Sequence, residues 1–290
     1  MAEHRAPSTS YEHIQVAPAT NAIGAEIRGV DLATTLGSAV VDEIGRAFLD
    51  HHVIVFRDQT LTPERQKAFG ANFGSFAIHP FRPSIAGHPE LLTIAKEPDE
   101  RGNVGGGWHT DMTFTERPPK GSMLYAIELP PAGLGDTLFS SCEAAYEALS
   151  SGMKKLLGGL VGVHCAERIH GVAATADENA FRRTAARKSE VAKTTLHPVV
   201  RTHPETGRRS LFVNPSFTLR FDGMSEQESQ PLLQFLFRHM AKPEFVVRVR
   251  WQVGTLVLWD NRCTQHYALN DYDGYRREMR RLMIEGDRPV

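Results

Sequence analysis

Cysteine is scarce in this chain: Cys142, Cys165 and Cys263 are an odd number in unrelated contexts with no C-x-x-C pair, so neither a disulfide framework nor a zinc knuckle is indicated. They read as small buried apolar residues. Long apolar runs are missing too. Nothing approaches ~18 uninterrupted apolar residues, and Met1–Ser10 has no apolar core of the secretory kind. The expectation is a cytoplasmic protein with no membrane partner. A formal net charge of −1 supplies no field for nucleic acid, and no block of like charge offers a patch to a polyanion. That leaves a small molecule as the expected partner. No repeat, low-complexity tract or Ser/Gly linker divides the 290 residues, which predicts one domain over 11–290 behind a disordered stretch at 1–10.

What is present alternates in type. Ser38 to His51 carries Val41, Ile44 and Phe48 at helical spacing and runs into Val53-Ile54-Val55-Phe56, too short for a helix and rich in β-branched residues. Thr62 caps a helix that opens on Pro63 and turns Phe69 and Phe73 inward. Ser141 to Ser150 reads as a helix. Ser225 and Glu228 form a capping box ahead of the stripe Leu232, Leu233, Leu236, Phe237 and Met240, which Pro243 ends. Exposed apolar faces on that helix leave a homo-oligomer open. Pro198–His203 and Arg209–Val213 predict a hairpin around Pro204-Glu205-Thr206-Gly207. Phe245, Val247, Val249 and Trp251 alternate with polar residues before Leu256–Trp259, a strand buried on both faces. Mainly antiparallel strands with flanking helices predict a double-stranded β-helix, or jelly roll. The stretch 168–193 is polar, Arg-rich and weakly periodic, and predicts a lid-like insertion.

The chemistry-bearing residues centre on Trp108-His109-Thr110-Asp111. Read as a strand, this segment points His109 and Asp111 to one side. With His266 downstream, two imidazoles and a carboxylate make the ligand set of non-heme Fe(II) oxygenases. With 13 histidines in the chain a lone His-x-Asp is weak, and an ordinary core histidine is an equally good reading of His109 at this point. Gly105-Gly106-Gly107 just before it permits the unusual backbone path of a cavity rim. His88-Pro89-Glu90 and His203-Pro204-Glu205 are similar pairs interrupted by proline, and read as surface turns. In Arg276–Arg281, an extended chain puts Arg277, Met279 and Arg281 on one face. Two inward guanidiniums there would each grip an anion, whereas a solvated basic edge strand is the plainer reading.

Taken together these segments resemble the taurine dioxygenase family of Fe(II)- and 2-oxoglutarate-dependent oxygenases. The resemblance runs from about Gly24 to the end and covers Gly24–Leu32, the His109/Asp111 segment, Gly135-Asp136-Thr137, His197–Pro204 and Trp259–His266. It implies that His109, Asp111 and His266 hold iron, and that Arg277 and Thr137 bind the distal carboxylate of 2-oxoglutarate. It also implies that His79, before Pro80, and Arg281 bind the substrate's anionic group. Two departures bear on the substrate. Gly105 stands where taurine users carry asparagine, and Ala166 where they carry phenylalanine, which enlarges the substrate pocket and makes it less polar. The expected activity is hydroxylation of the carbon beside an anionic or ether group of an organosulfonate, alkyl sulfate or phenoxyalkanoate-like acid, with O2 consumed and succinate and CO2 formed. Taurine dioxygenase proper is the runner-up. A metal-dependent hydrolase using the same three ligands, or a jelly-roll binding module without catalysis, are the competing classes.

Overall fold

Strand burial decides the layering. In the computed structural model, which describes residues 10–170 and 192–290, Val53–Phe56 lies between Ala25–Arg28, to which it is parallel, and Leu256–Asp260, to which it is antiparallel. Gly121–Glu128 and the C-terminal strand Arg277–Ile284 follow across the sheet, with Phe76–Ala77 and Gln15–Pro18 at its edges and Leu91–Lys96 also paired to the C-terminal strand. Opposite stand two three-stranded sheets. One sets Thr137–Ser141 between Val246–Val249 and Thr264–Ala268; the other sets Val161–Cys165 between Thr218–Phe221 and Thr194–Pro198. This is the jelly roll the sequence predicts.

The large sheet is buried on both faces because its strands alternate between two cores. Val53, Val55, Val257, Trp259 and Met279 point inward to meet Phe139, Val247 and Val249 of the opposing layer. Ile54, Phe56, Leu256, Leu258 and Leu282 point outward beneath Ile44, Ala47 and Phe48 of helix Ser38–His51 and Phe69 of helix Pro63–Gly70. Each large side chain so buried contributes about 1.5–3 kcal/mol. The caps are as expected: Thr62 accepts from Arg65 N, and Ser225 and Glu228 form the reciprocal box of helix Glu226–Met240.

Several expectations need correction. Most of the apolar stripe of Glu226–Met240 is buried: Leu233, Leu236, Phe237 and Met240 pack against Leu157, Val199, Leu211 and Phe221, with Leu232 partly buried and Phe235 the exposed large apolar residue of the helix. The predicted strand Pro198–His203 divides at Val199, where the chain changes sheets: Val199 N bonds Leu160 O while its carbonyl accepts from Phe212 N. Ser141–Ser150 holds one helix, Cys142–Glu147, and Ser150 caps another, Ser151–Leu157. The strand carrying Val247 ends at Val249, with Phe245 in the preceding 3-10 turn and Trp251 beyond it, although Trp251 keeps the inward phase. His203–Gly207 is a turn, but His203 is buried and donates to Asp260. Of the predicted lid, 168–170 end the short helix Glu167–His170, and 171–191 lie outside the described residues, as do residues 1–9 of the predicted N-terminal tail. The three cysteines are buried, and none is in a disulfide. No helix among the described residues is long and apolar enough to cross a membrane.

Candidate active site

His109 and His266 are zipped to each other. His109 N donates to His266 O at 3.0 Å and His266 N to His109 O at 2.8 Å, an isolated antiparallel bridge that brings the two ring centroids to 4.0 Å, tilted by 48°. The segment Trp108–Phe114 is not the strand predicted. After the bridge it enters a turn in which Met112 has φ 50°, so strand alternation is not what aligns Asp111 with His109. Asn261 fixes the turn instead: its Oδ1 accepts from Asp111 N at 2.8 Å, and its Nδ2 donates to the carbonyls of Asp111 and Pro119, both at 3.0 Å. The sequence reading quoted Asn261 without assigning it a role. Only a backbone-binding amide two residues past the end of a strand could have hinted at it.

The ligand atoms of His109, Asp111 and His266 all lie within 4.8 Å of one another, with Asp111 Oδ1 at 3.6 Å from His109 Nε2 and 3.8 Å from His266 Nε2. That spread suits one ion bonded at about 2 Å from each. Protonation suits it too. His109 Nδ1 lies 2.8 Å from the Gly107 carbonyl, which can only accept, so the proton sits there and Nε2 presents its lone pair. Burial pushes both imidazoles below their ordinary range, His266 furthest, which keeps them neutral. Burial alone would raise Asp111, but the Arg281 guanidinium holds its carboxyl well below the usual range. Ser122 and Arg281 both contact Asp111 Oδ2, leaving Oδ1 to face the histidines. A neutral His/His/carboxylate set therefore fits a ferrous ion.

Beside the triad opens a cavity lined by Gly105, Thr137, Arg277 and Arg281 as well as His109 and His266. Arg277 is the group that needs a partner. It is 4% exposed, and its buried Nε and Nη2 have no hydrogen-bond acceptor among the described residues. A desolvated guanidinium in that state calls for a carboxylate, and the acidic end of 2-oxoglutarate fits. Gly105 has φ +81°, and a Cβ there would come within 3.0 Å of His109 Cε1. Backbone and His109 thus both favour glycine here. That is a more direct reason than the missing asparagine, and it places Gly105 against His109.

His79 and Ala166 stand apart from that lining. His79 Nδ1 accepts from Phe81 N at 3.0 Å, which fixes the proton on Nε2, and burial keeps the ring neutral. It offers a donor without a charge. Its electrostatic neighbours are Arg82, Arg281, His170 and Asp111. Arg82 is a residue the sequence reading missed: burial, then the Arg281 guanidinium, lowers it to about 10, and it acts on His79, His109 and His170. Its only signal in the sequence is its place three residues after His79 in His79-Pro80-Phe81-Arg82. Phe81 stacks on Phe114 at 5.5 Å, Phe114 meets Phe217 at 5.1 Å, and Ala166 packs in the same cluster. The triad thus has a cationic neighbour in Arg82 and, beginning from the same His79–Arg82 segment, an aromatic wall that reaches His109 through Phe217.

A jelly roll with two imidazoles and a carboxylate within reach of one point is the architecture of mononuclear non-heme oxygenases. Comparison with known proteins makes this specific. The model of the family "Taurine catabolism dioxygenase TauD, TfdA family" matches residues 15–283, and the chain belongs to that family. It is 38% identical to an alkylsulfatase of Acinetobacter baylyi over 95% of this chain and 86% of that protein. It is also 38% identical to the alpha-ketoglutarate-dependent sulfate ester dioxygenase of Pseudomonas putida, over 96% of this chain and 91% of that protein. Among solved structures, a taurine dioxygenase from Burkholderia xenovorans superposes with a TM-score of 0.81 at 37% identity, covering 96% of this chain and 91% of that one.

Proposed function

We propose that this chain is an Fe(II)- and 2-oxoglutarate-dependent dioxygenase that hydroxylates the carbon beside the anionic head of a small organic acid, a sulfate ester foremost. The observation that carries the reading is Arg277, a buried guanidinium with two nitrogens unmatched, in the cavity that the triad lines. A hydrolase built on the same three ligands has no use for it. His109, Asp111 and His266 would hold the iron, which when bound supplies dioxygen activation. Arg277 and Thr137 would bind and orient the distal carboxylate of 2-oxoglutarate. Arg281 and the Nε2–H of His79, supported by Arg82, would hold the substrate's head, so that the adjacent carbon faces the triad. The aromatic wall of Phe81, Phe114 and Phe217, with Ala166 beside it, would cover the organic tail and exclude water.

Hydroxylation beside a sulfate ester oxygen leaves one carbon bearing both a hydroxyl and that oxygen. The C–O bond to sulfate then breaks, the hydroxyl proton is lost, and an aldehyde, inorganic sulfate, succinate and CO2 result. Names of the two relatives quoted with sulfate-ester chemistry support this head group, and Gly105 and Ala166 weigh against taurine. Oxygen uptake with alkyl sulfates, alkanesulfonates, taurine and phenoxy acids tests it. Alkyl sulfates should give the highest kcat/KM, with one sulfate released per O2, and Arg281→Ala should raise their KM about 10- to 100-fold. Unchanged KM in that variant would remove the proposed anchor, and taurine as the best substrate would replace the head group.

A further inference from the structure

We infer that Trp251 is a positioning residue for 2-oxoglutarate: its indole N–H engages one lone pair of the Thr137 oxygen and so orients the Thr137 hydroxyl to donate its proton toward the cosubstrate's carboxylate. The inference rests on the cosubstrate site proposed above and goes beyond it, because Trp251 does not line the cavity.

Trp251 Nε1 lies 3.0 Å from Thr137 Oγ1, both groups being buried. Indole nitrogen can only donate, so the threonine oxygen is the acceptor and its own proton must go elsewhere. Among the described residues no acceptor takes it, while Thr137 faces the cavity next to Arg277. A hydroxyl left free to rotate could present either a lone pair or a proton. Held by Trp251 on one lone pair, and with no other acceptor for its proton among the described residues, it has that proton to give to an incoming carboxylate.

The same indole serves the second anchor. The Arg277 guanidinium lies over the Trp251 ring, 5.7 Å from its centroid, so edge and face of one side chain support both groups. Trp251 is itself held by Asp136, a fully buried carboxylate next to Thr137. Its Oδ1 accepts from Trp251 N at 3.3 Å and its Oδ2 from Arg248 Nε at 2.6 Å, which ties the end of Val246–Val249 to the start of Thr137–Ser141. The register pairing Val249 with Thr137 sets the indole beside the hydroxyl.

The test is equilibrium dialysis of 2-oxoglutarate, and separately of 2-oxopentanoate, which lacks the distal carboxylate, against the full chain loaded with Mn(II) without O2. Trp251→Phe keeps the ring and deletes the donor. It should weaken 2-oxoglutarate about five- to tenfold while 2-oxopentanoate binds within about twofold of wild type. Thr137→Val should weaken 2-oxoglutarate at least as much, and adding Trp251→Phe to it should cost little more, since both remove one relay. Equal weakening of both ligands, or effects of the two substitutions that multiply, would overturn the inference. Arg277→Ala separates the two levels: if it retains normal 2-oxoglutarate binding, the cosubstrate site itself is wrong. If it loses binding while Trp251→Phe does not, only the role of Trp251 falls. Should Trp251→Phe fail to fold, Thr137→Val and Thr137→Ser carry the test. Serine should retain 2-oxoglutarate affinity and valine lose it, with 2-oxopentanoate indifferent to both; the inference fails if serine and valine behave alike.

Discussion

Two buried clusters in this molecule bring histidine and aspartate within ligand distance of each other, and they differ in what is left over. His203, Asp260 and Cys263 are as close-set as His109, Asp111 and His266. In the first, both ring nitrogens of His203 and both carboxylate oxygens of Asp260 are matched. Asp260 Oδ1 accepts from Arg262 N and Nε, both at 2.9 Å; Oδ2 accepts from Arg262 Nη2 at 2.6 Å and His203 Nε2 at 3.0 Å. His203 Nδ1 accepts from the backbone of Glu205 and Thr206, and burial pushes the Cys263 thiol far above its ordinary range. In the second, Nε2 of His109 and of His266 converge on Asp111 Oδ1 at 3.6 and 3.8 Å, and among the described residues the two ring nitrogens have no other acceptor or donor between them. Proximity alone therefore does not mark a metal site; unmatched acceptors do.

Breaking the first cluster should cost stability and leave the second intact. Asp260→Asn removes the charge that Arg262 and His203 share in the interior, and should destabilise the protein by about 3–5 kcal/mol. Urea unfolding measures it, and the same variant below its melting temperature should still bind one divalent ion per chain. An Asp260→Asn protein of normal stability that lost its metal would invert the assignment of the two clusters.

Acid should act through a third histidine pair, behind the turn that carries Asp111. His164 Nδ1 lies 3.0 Å from Thr113 Oγ1, His197 Nε2 lies 2.9 Å from Thr115 O, and burial keeps both neutral, with His197 lowered to about 4. Their folded values lie below the unfolded value of about 6.5, so the unfolded state binds the extra protons. The stabilisation is complete above about pH 6.5 and falls away as pH drops through about 4. Thermal melts from pH 7 to 4.5 should show a loss on the order of 1–3 kcal/mol, and His197→Gln should flatten it. A melting temperature indifferent to pH over that window would contradict the neutral assignment.

Much of this was legible in the sequence where one period or one cap decides the outcome. The buried run Val53–Phe56, the caps at Thr62 and Ser225, and the residues Arg277 and Arg281, which share a face of the strand Arg277–Ile284, follow from local rules. The jelly roll followed from counting strands, and the identity of the site from several matched segments rather than from His-x-Asp alone. What stayed hidden depends on partners distant in the chain. The turn at Asp111 is set by Asn261, the burial of His203 by Asp260, and the break at Val199 by hydrogen bonds to Leu160 and Phe212. Arg82 was hidden for the same reason, since a single arginine after a proline has no signature until its neighbours are known. The unusual backbone path expected at Gly105-Gly106-Gly107 is met by the positive φ of Gly105, whereas its approach to His109 has no local signature.

Anaerobic Fe(II) titration of the wild-type chain, His266→Ala and His203→Ala, followed by metal analysis of the protein, bears most directly on the triad. One ferrous ion per chain in wild type and in His203→Ala, and none retained by His266→Ala, is the expected result. Retention of iron by His266→Ala together with its loss in His203→Ala would contradict it.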